Sequence, residues 1–455
     1  MVADNKTGRY IAEKIALPVI LVISLLAARL VVGLRSAIRL SAPLELSRSG
    51  LSVSMPLGNG WQCEEKWRYG DAGFTVSSAF SVTQSSRGGI NQAYARCHYL
   101  LAPQVGTLQE RVKREAADLG GEAVETGQVT VGSLVVDWAR IKADAGERGP
   151  FEIIFGVCPL AAGRQLEIEV IQTEEEQGLA QQVFDKIVKG IRFSDNGLLQ
   201  AGARIVSEVR GAGLNGILAS DGRSISLFII ADARGQAIGF TMDAMATAQT
   251  DTNTTVKAAN YLYMREPMAD EQVEFFRCDG AFEQFTWRVE SNSRAGSKGI
   301  EMEGEAGVLV VRHLTSTSSV ESRADSDENR YTLGGAAVPD IIIDPVLTKM
   351  LDGDRQAIVI DVIRSDGTIT PVYVEKMAPA KGETDSNAVR VEWLDGRGLW
   401  QQVYYDGSKK PVRMVIGRED TYMLNRADAN EIAETFPERA YLVRDRSQLL
   451  DRDGP

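Results

Sequence analysis

The run VRVEWLDGRGLWQQVYYDGSKKPVRMVIG, residues 389–417, sets the architecture of the larger part of this 455-residue chain. Val389, Val391 and Trp393 alternate with Arg390 and Glu392, the period-two pattern of a strand with one buried face. Asp395-Gly396 and Asp406-Gly407 interrupt the alternation, and such pairs supply the left-handed backbone that tight hairpins need. The stretch therefore reads as a three-strand antiparallel meander.

The same grammar continues on either side. QAIVIDVIRSDGTITPVYVEKM, residues 356–377, is a hairpin turning at Asp366-Gly367. In FEQFTWRVE, residues 282–290, Phe285, Trp287 and Val289 alternate with Gln284, Thr286 and Arg288. LGGAAVPDIIIDPVLTKML, residues 333–351, should supply a turn and one short helix near the sheet edge. ADANEIAETF, residues 427–436, reads as one late helix. A long antiparallel sheet with few helices follows for residues 200–445, and it must curl to bury its aromatic face. Phe285, Trp287, Trp393 and Trp400 then become the candidate face for an apolar ligand or partner peptide, with plain core packing as the competing reading. The closing meander followed by a late helix resembles the LolA-like lipoprotein-carrier fold and its envelope relatives. That resemblance implies a half-barrel clasping a helix or an acyl chain.

Residues 50–195 mix strands with helices. In LEIEV, residues 166–170, Leu166, Ile168 and Val170 face one way and Glu167 and Glu169 the other. Two capping boxes, TLQE at 107–110 and TEEE at 173–176, should open two helices. One carries Leu108, Val112, Ala116 and Leu119 on a stripe; the other carries Val183, Phe184, Ile187, Val188 and Ile191. A strand into MPLGNGW (55–61), a central helix, a strand ending near Trp138, then GRQLEIEV and FDKIVKGIRF, resembles the PsbP-like fold. The resemblance implies an α/β/α sandwich used for binding or assembly, also found in Ran-GTPase-binding proteins. SDNGLLQ, residues 194–200, reads as the linker between the two modules.

Residues 15–34, IALPVILVISLLAARLVVGL, are long and apolar enough to cross a bilayer, with Arg29 near one end able to snorkel. The expectation is an uncleaved single-pass anchor within a 1–49 tail and tether, displaying the body outside the cytoplasm on the envelope side. A cleaved signal or a buried core helix are the competing readings, and 446–455 reads as a tail. The fold class expected for the whole is α+β: an N-terminal transmembrane helix, an α/β/α sandwich and a curved half-barrel.

The chain's net charge of −12 repels phosphate backbones and argues against nucleic-acid partners. Cys63, Cys97, Cys158 and Cys278 form no CxxC pair, so zinc and thioredoxin-like sites are not expected, although Cys63 and Cys97 could bridge. The only histidines are His98 and His313. His98 is beside Cys97 in a strand, where neighbours point to opposite faces, so a Cys–His dyad is not expected. DSDEN, residues 325–329, lacks the glycine and distant glutamate of a calcium loop and reads as a solvated hairpin tip. No catalytic, cofactor or metal residues stand out. The functional expectation is a membrane-tethered, non-catalytic binding or scaffolding protein. The alternatives are a hydrolase with a carboxylate-only site, or a cytoplasm-facing regulator that docks a GTPase.

Overall fold

The computed structural model describes residues 24–25 and 38–444, apart from 47, 59–60, 69–72, 84–89, 102–107, 119, 145–149, 162, 174–177, 195–196, 215–222, 250–253, 266–269, 295, 315–327, 379–386, 395–397 and 418–420. Expectations for Thr107, Asp325, Asp327, the Asp395-Gly396 turn and residues 446–455 lie outside the described residues.

Four short strands come first: β1 (Arg39–Leu40), β2 (Leu44–Leu46), β3 (Leu51–Val53) and β4 (Pro56–Leu57). Seven long ones follow: β5 (Trp61–Arg68), β6 (Gly73–Thr83), β7 (Ile90–Leu101), β8 (Glu122–Val131), β9 (Leu134–Asp144), β10 (Pro150–Ala161) and β11 (Arg164–Thr173). They form one antiparallel sheet in the order β5-β6-β7-β11-β10-β9-β8. Helix α1 (Leu108–Asp118) packs Val112 and Ala116 on one face, against Ile153, Phe155 and Val157. Helix α2 (Leu179–Gly190) packs Val183, Phe184 and Ile187 on the other, against Leu166, Ile168 and Val170. The alternation of LEIEV is thus used on both sides, and Glu167 turns to Arg111 of α1. The TEEE box does not open α2. Thr173 ends a strand, and the helix starts at Leu179 after Gly178, whose φ is 84°. Gln172 takes over part of the capping, accepting from the Ala180 amide at 2.6 Å.

After β12 (Arg192–Phe193) and helix α3 (Leu198–Ala212), the chain builds a second, much larger sheet. Its first strands are β13 (Arg223–Ala231), β14 (Ala237–Gln249), β15 (Thr254–Met264), β16 (Glu271–Asp279) and β17 (Phe285–Ser293). Next come β18 (Gly296–Glu305), β19 (Val308–Leu314), β20 (Glu328–Thr332) and β21 (Ala337–Pro339), then helix α4 (Asp344–Asp352). The remaining strands are β22 (Ala357–Ile363), β23 (Ile369–Met377), β24 (Asn387–Trp393), β25 (Trp400–Tyr405), β26 (Pro411–Gly417) and β27 (Thr421–Arg426). Two short helices close the described chain: α5 (Ala429–Thr435) and α6 (Ala440–Arg444).

All fifteen strands belong to one sheet, running from β20 through β13 and β27 to β21. Its two edge strands are consecutive in sequence, Thr332 ending one and Ala337 starting the other. Five Cα steps span at most ~18 Å, so the sheet must curl until its edges nearly meet. The hollow this creates is wider than facing side chains can fill, and α3 and α4 occupy it. Ala201, Ile205, Val206 and Val209 of α3, with Val346, Leu347 and Met350 of α4, share one core with Trp287, Val311, Ile360, Val374 and Val391. Helix α5 lies on the opposite face, where Ile432 and Phe436 cover Phe240, Met242 and Tyr261.

Three expectations are corrected. The chain is mostly β rather than α+β. The reading of the second module, a long sheet with two short helices, missed α3, whose start lies inside the stretch read as a linker. Finally, among the described residues no helix is long and apolar enough to cross a membrane. The longest described helix, α3, has 15 residues and carries Arg204, Glu208 and Arg210. It would reach about 22 Å of a ~30 Å hydrocarbon core. The single-pass anchor, and the envelope-side placement built on it, are therefore withdrawn; of residues 15–34, only Ser24 and Leu25 are described.

The two sheets meet through an ion pair. Arg164 of β11 donates to Asp361 of β22 at 2.6 Å, and both side chains are 4% exposed, so neither charge has water to fall back on. Beside it Gly163, at φ 71°, approaches the Gly334 backbone closely enough that a Cβ would sit 2.4 Å from the Gly334 nitrogen.

The helix in the hollow depends on one glycine. A Cβ on Gly202 would lie 1.9 Å from the carbonyl oxygen of Val359 in β22. Gly202→Ala should therefore push α3 off the sheet and cost about 1–3 kcal/mol or more, whereas the exposed neighbour change Gly211→Ala, with open space around it, should not. Urea unfolding of the two variants checks this; equal midpoints would refute the close packing.

Candidate functional site

Of the four aromatic residues expected to form a ligand face, three share one packed core and Trp400 lies apart from them. Phe285, Trp287 and Trp393 are 6%, 1% and 8% exposed, buried in the core shared with α3 and α4. Phe276 stacks on Phe285 at 5.6 Å and meets Trp287 edge-on at 6.1 Å. Trp400 points to the other side of the sheet, because it alternates with Val403 and Tyr405, which face the core. There it packs on Gly417, with the Arg390 guanidinium 5.8 Å above its ring. At the aromatic end, then, the hollow is filled by the chain's own helices.

Next to that filled region lies a row of polar residues set by strand register. Ser226 pairs with Asp243, Asp243 with Asn260, and Asn260 with Glu274, across β13, β14, β15 and β16. Period-two alternation puts all four on the inner face, one step along the strands from Met245, Ala258 and Phe276. A cavity of about 380 Å³ remains over this row. Its opposite wall is the turn into α4, with Asp340, Ile341, Ile343 and Asp344. Met414 and Leu424 add aliphatic lining, and the exposed Lys409 and Lys410 of the β25–β26 hairpin form its rim.

Four carboxylates thus converge. Asn260 donates its Nδ2 to Asp243, and also to Thr241 Oγ1 at 3.0 Å. Glu274 accepts from Gln272 Nε2 at 2.6 Å and from the Trp287 indole at 3.1 Å. Asp344 accepts from the Tyr405 hydroxyl at 3.1 Å. The Asp340 carboxylate accepts no hydrogen bond among the described residues; Arg364 acts on it only through space. Burial is the largest influence on every one of them. It pushes Asp243 up to about 6 and Glu274 up to about 7 against the opposing bonds from Asn260 and Gln272. It also pushes Asp340 to about 6 and raises Asp344. Asp340 is nevertheless part-exposed and Asp344 exposed, so this wall of the cavity is open to solvent. Mutual repulsion adds to the effect, since Asp243 feels Asp344 and Asp340.

Among the described residues, no group of three His, Cys, Asp or Glu side chains is placed to hold a metal ion. None of the four cysteines is in a disulfide, so Cys63 and Cys97 do not bridge. Burial raises the Cys158 thiol to about 11 and drives Cys97 and Cys278 higher still, so none of these three is a ready thiolate. His313 is exposed at the end of β19.

The sequence reading missed Asp243, Asn260, Glu274, Asp340 and Asp344. A signal existed: in EQVEFFRCD, residues 271–279, Glu274 falls in phase with the apolar Phe276 and Cys278. It was hidden because Val273 and Phe275 on the other face are also apolar, being covered by the C-terminal helices.

No protein-family profile matches the chain, and no curated protein matches it. Among solved structures, it is similar to the crystal structure of a β-barrel-like protein of domain of unknown function DUF1849 from Brucella abortus. Identity is 9%, with 45% of this chain and 94% of that one covered, and the TM-score is 0.31. A likeness that slight carries nothing about this chain, whose β-rich architecture rests on its own hydrogen-bonded sheets. Neither the PsbP-like nor the LolA-like resemblance is confirmed.

The raised carboxylates have a consequence for stability. Asp243 and Glu274 bind protons more tightly when folded than when unfolded, so their contribution is full at low pH and lost as pH rises through about 6–7. In Asp243→Asn the buried charge is gone. The melting temperature of the native protein, relative to this variant, should therefore fall by several degrees between pH 5 and pH 8. Parallel calorimetric melts decide it, and a pH-independent difference would contradict the burial of this carboxylate.

Proposed function

We propose that this chain binds a small amphipathic molecule, without chemistry, in the cavity left between the curved sheet and helix α4. The observation that supports it best is the contrast inside the hollow. Elsewhere the space is packed by α3, α4 and aromatic side chains, yet over Ser226, Asp243, Asn260 and Glu274 a cavity of about 380 Å³ stays open. Its size falls within the range used by small-ligand pockets, and its mix of aliphatic wall and a few converging polar groups is what such pockets present. A half-barrel clasping a helix, as the LolA-like resemblance implies, belongs to the same proposal. The ligand would then sit beside the plug, not on the aromatic face. The seven-stranded module, on this reading, scaffolds the larger one through Arg164 and Asp361.

Carboxylates in a cavity also favour one catalytic reading, a hydrolase using an acid and a base. Acid–base pairs work when the environment pushes two pKa values apart. Here all four are pushed the same way, and Glu274, Asp243 and Asp344 each take hydrogen bonds from protein donors. Binding is therefore the stronger reading.

A thermal-shift screen of the full chain against a small-molecule library should find saturable stabilisers. Ser226→Phe, which fills the cavity from the sheet side, should abolish the shifts without lowering the ligand-free melting temperature by more than a few degrees. Turnover of chromogenic glycosides or esters that disappears in Glu274→Gln would replace the binding reading by the hydrolase.

A further inference from the structure

We infer that β8, the outer strand of the seven-stranded sheet, is the surface through which two copies of this chain associate, edge to edge and antiparallel. The strand stands last in the order β5-β6-β7-β11-β10-β9-β8, so among the described strands only β9 pairs with it. Glu122–Thr126, Gln128 and Thr130 are all exposed. Val131 joins Leu134 across a two-residue turn that opens at Gly132, φ 61°. In such a hairpin the residues flanking the turn bond each other, and alternate residues behind them turn their amides and carbonyls outward. The backbone groups of Thr126, Gln128 and Thr130 therefore face away from the sheet, as a template for another strand.

The other long edges are blunted, and this one is not. At the opposite end of the same sheet, β5 carries Glu64, Glu65, Lys66 and Arg68, and charge on an edge deters pairing. The edges of the large sheet come together at the 333–336 connection. In β8 the stretch Thr126–Val131, TGQVTV, has no charge and no proline. A bulge between Ala123 and Glu125 confines regular pairing to the residues beyond it. Val124 and Val135, two of the few exposed large hydrophobic residues, sit on this strand and on the neighbouring β9.

Charge selects a second copy as the occupant, and antiparallel as the direction. Both charges of the strand, Glu122 and Glu125, lie in its first half. Two-fold antiparallel pairing centred on Gln128 sets Thr126 against Thr130 of the other copy and Glu125 against Val131, so no two carboxylates meet. Threonines directly opposite one another are a favourable cross-strand pair. Glu125 also keeps its own partner, Arg140, at 3.2 Å. Parallel pairing in register would stack Glu125 on Glu125. An unrelated extended peptide would use the same outward groups, but nothing in TGQVTV selects its side chains, whereas the strand is complementary to itself. The two seven-stranded sheets then become one continuous sheet across two chains.

The test is analytical ultracentrifugation of the full chain between roughly 1 μM and 1 mM. A reversible monomer–dimer equilibrium is expected. Thr126→Lys combined with Thr130→Lys, both at exposed positions, sets lysine against lysine on either side of the dyad. It should weaken the dimer about tenfold or more. Gln128→Pro removes one outward amide without touching the ladder to β9, and should weaken the dimer as well; the lysine variant alone decides if this one does not fold. A chain that stays monomeric throughout the range would overturn the proposal. So would a dimer that the lysine variant leaves unchanged, because the interface would then lie elsewhere.

Discussion

Everything in the larger module follows from the short connection between its edge strands. Because β20 and β21 are joined by residues 333–336, fifteen strands cannot spread into an open sheet. They curl, and the interior that results is too wide for facing side chains alone. Two helices, the first arriving before the sheet is built and the second between its two halves, fill most of that interior. Gly202 lets the first come within contact of the β22 backbone. Arg210 then holds its end by donating to the Ala337 carbonyl at 3.0 Å, beside the seam where the edges approach.

The second face of the sheet is handled differently. Beyond β27 the chain turns back, and Asp428 caps α5 by accepting from the Asn430 and Glu431 amides. Phe436 meets Phe240 at 5.3 Å, while Arg265 and Arg439 pair with Glu438 and Glu271. With both faces of β13–β16 covered, polar residues can sit inside only where register gathers them in a row or where space remains. Both conditions hold at Asp243, Asn260 and Glu274, and the cost of burying their charges is visible in the raised carboxylates. A site of this kind is held by rigid strands rather than loops, which favours recognition of a fixed shape.

What sequence by itself determined was local. Alternation in LEIEV and VRVEW and the Asp366-Gly367 and Asp406-Gly407 turns each correspond to strands and hairpins, because these depend on neighbours within a few residues. The late helix at Ala429–Thr435 was legible for the same reason: an Asp cap followed by helix formers. Helix α3 had its own period, Leu199, Gly202, Ile205, Val206 and Val209, but its polar, glycine-bearing start read as a linker. Tertiary structure alone decided which face each strand turns inward, and so sent Trp287 and Trp393 into a plugged core and Trp400 to the opposite side. It also assembled the carboxylate row, since Ser226, Asp243, Asn260 and Glu274 come from four strands and are neighbours only through register. Register belongs to pairs of strands, not to any one of them, and the closure of the sheet that opposes this row to Asp340 and Asp344 depends on all fifteen.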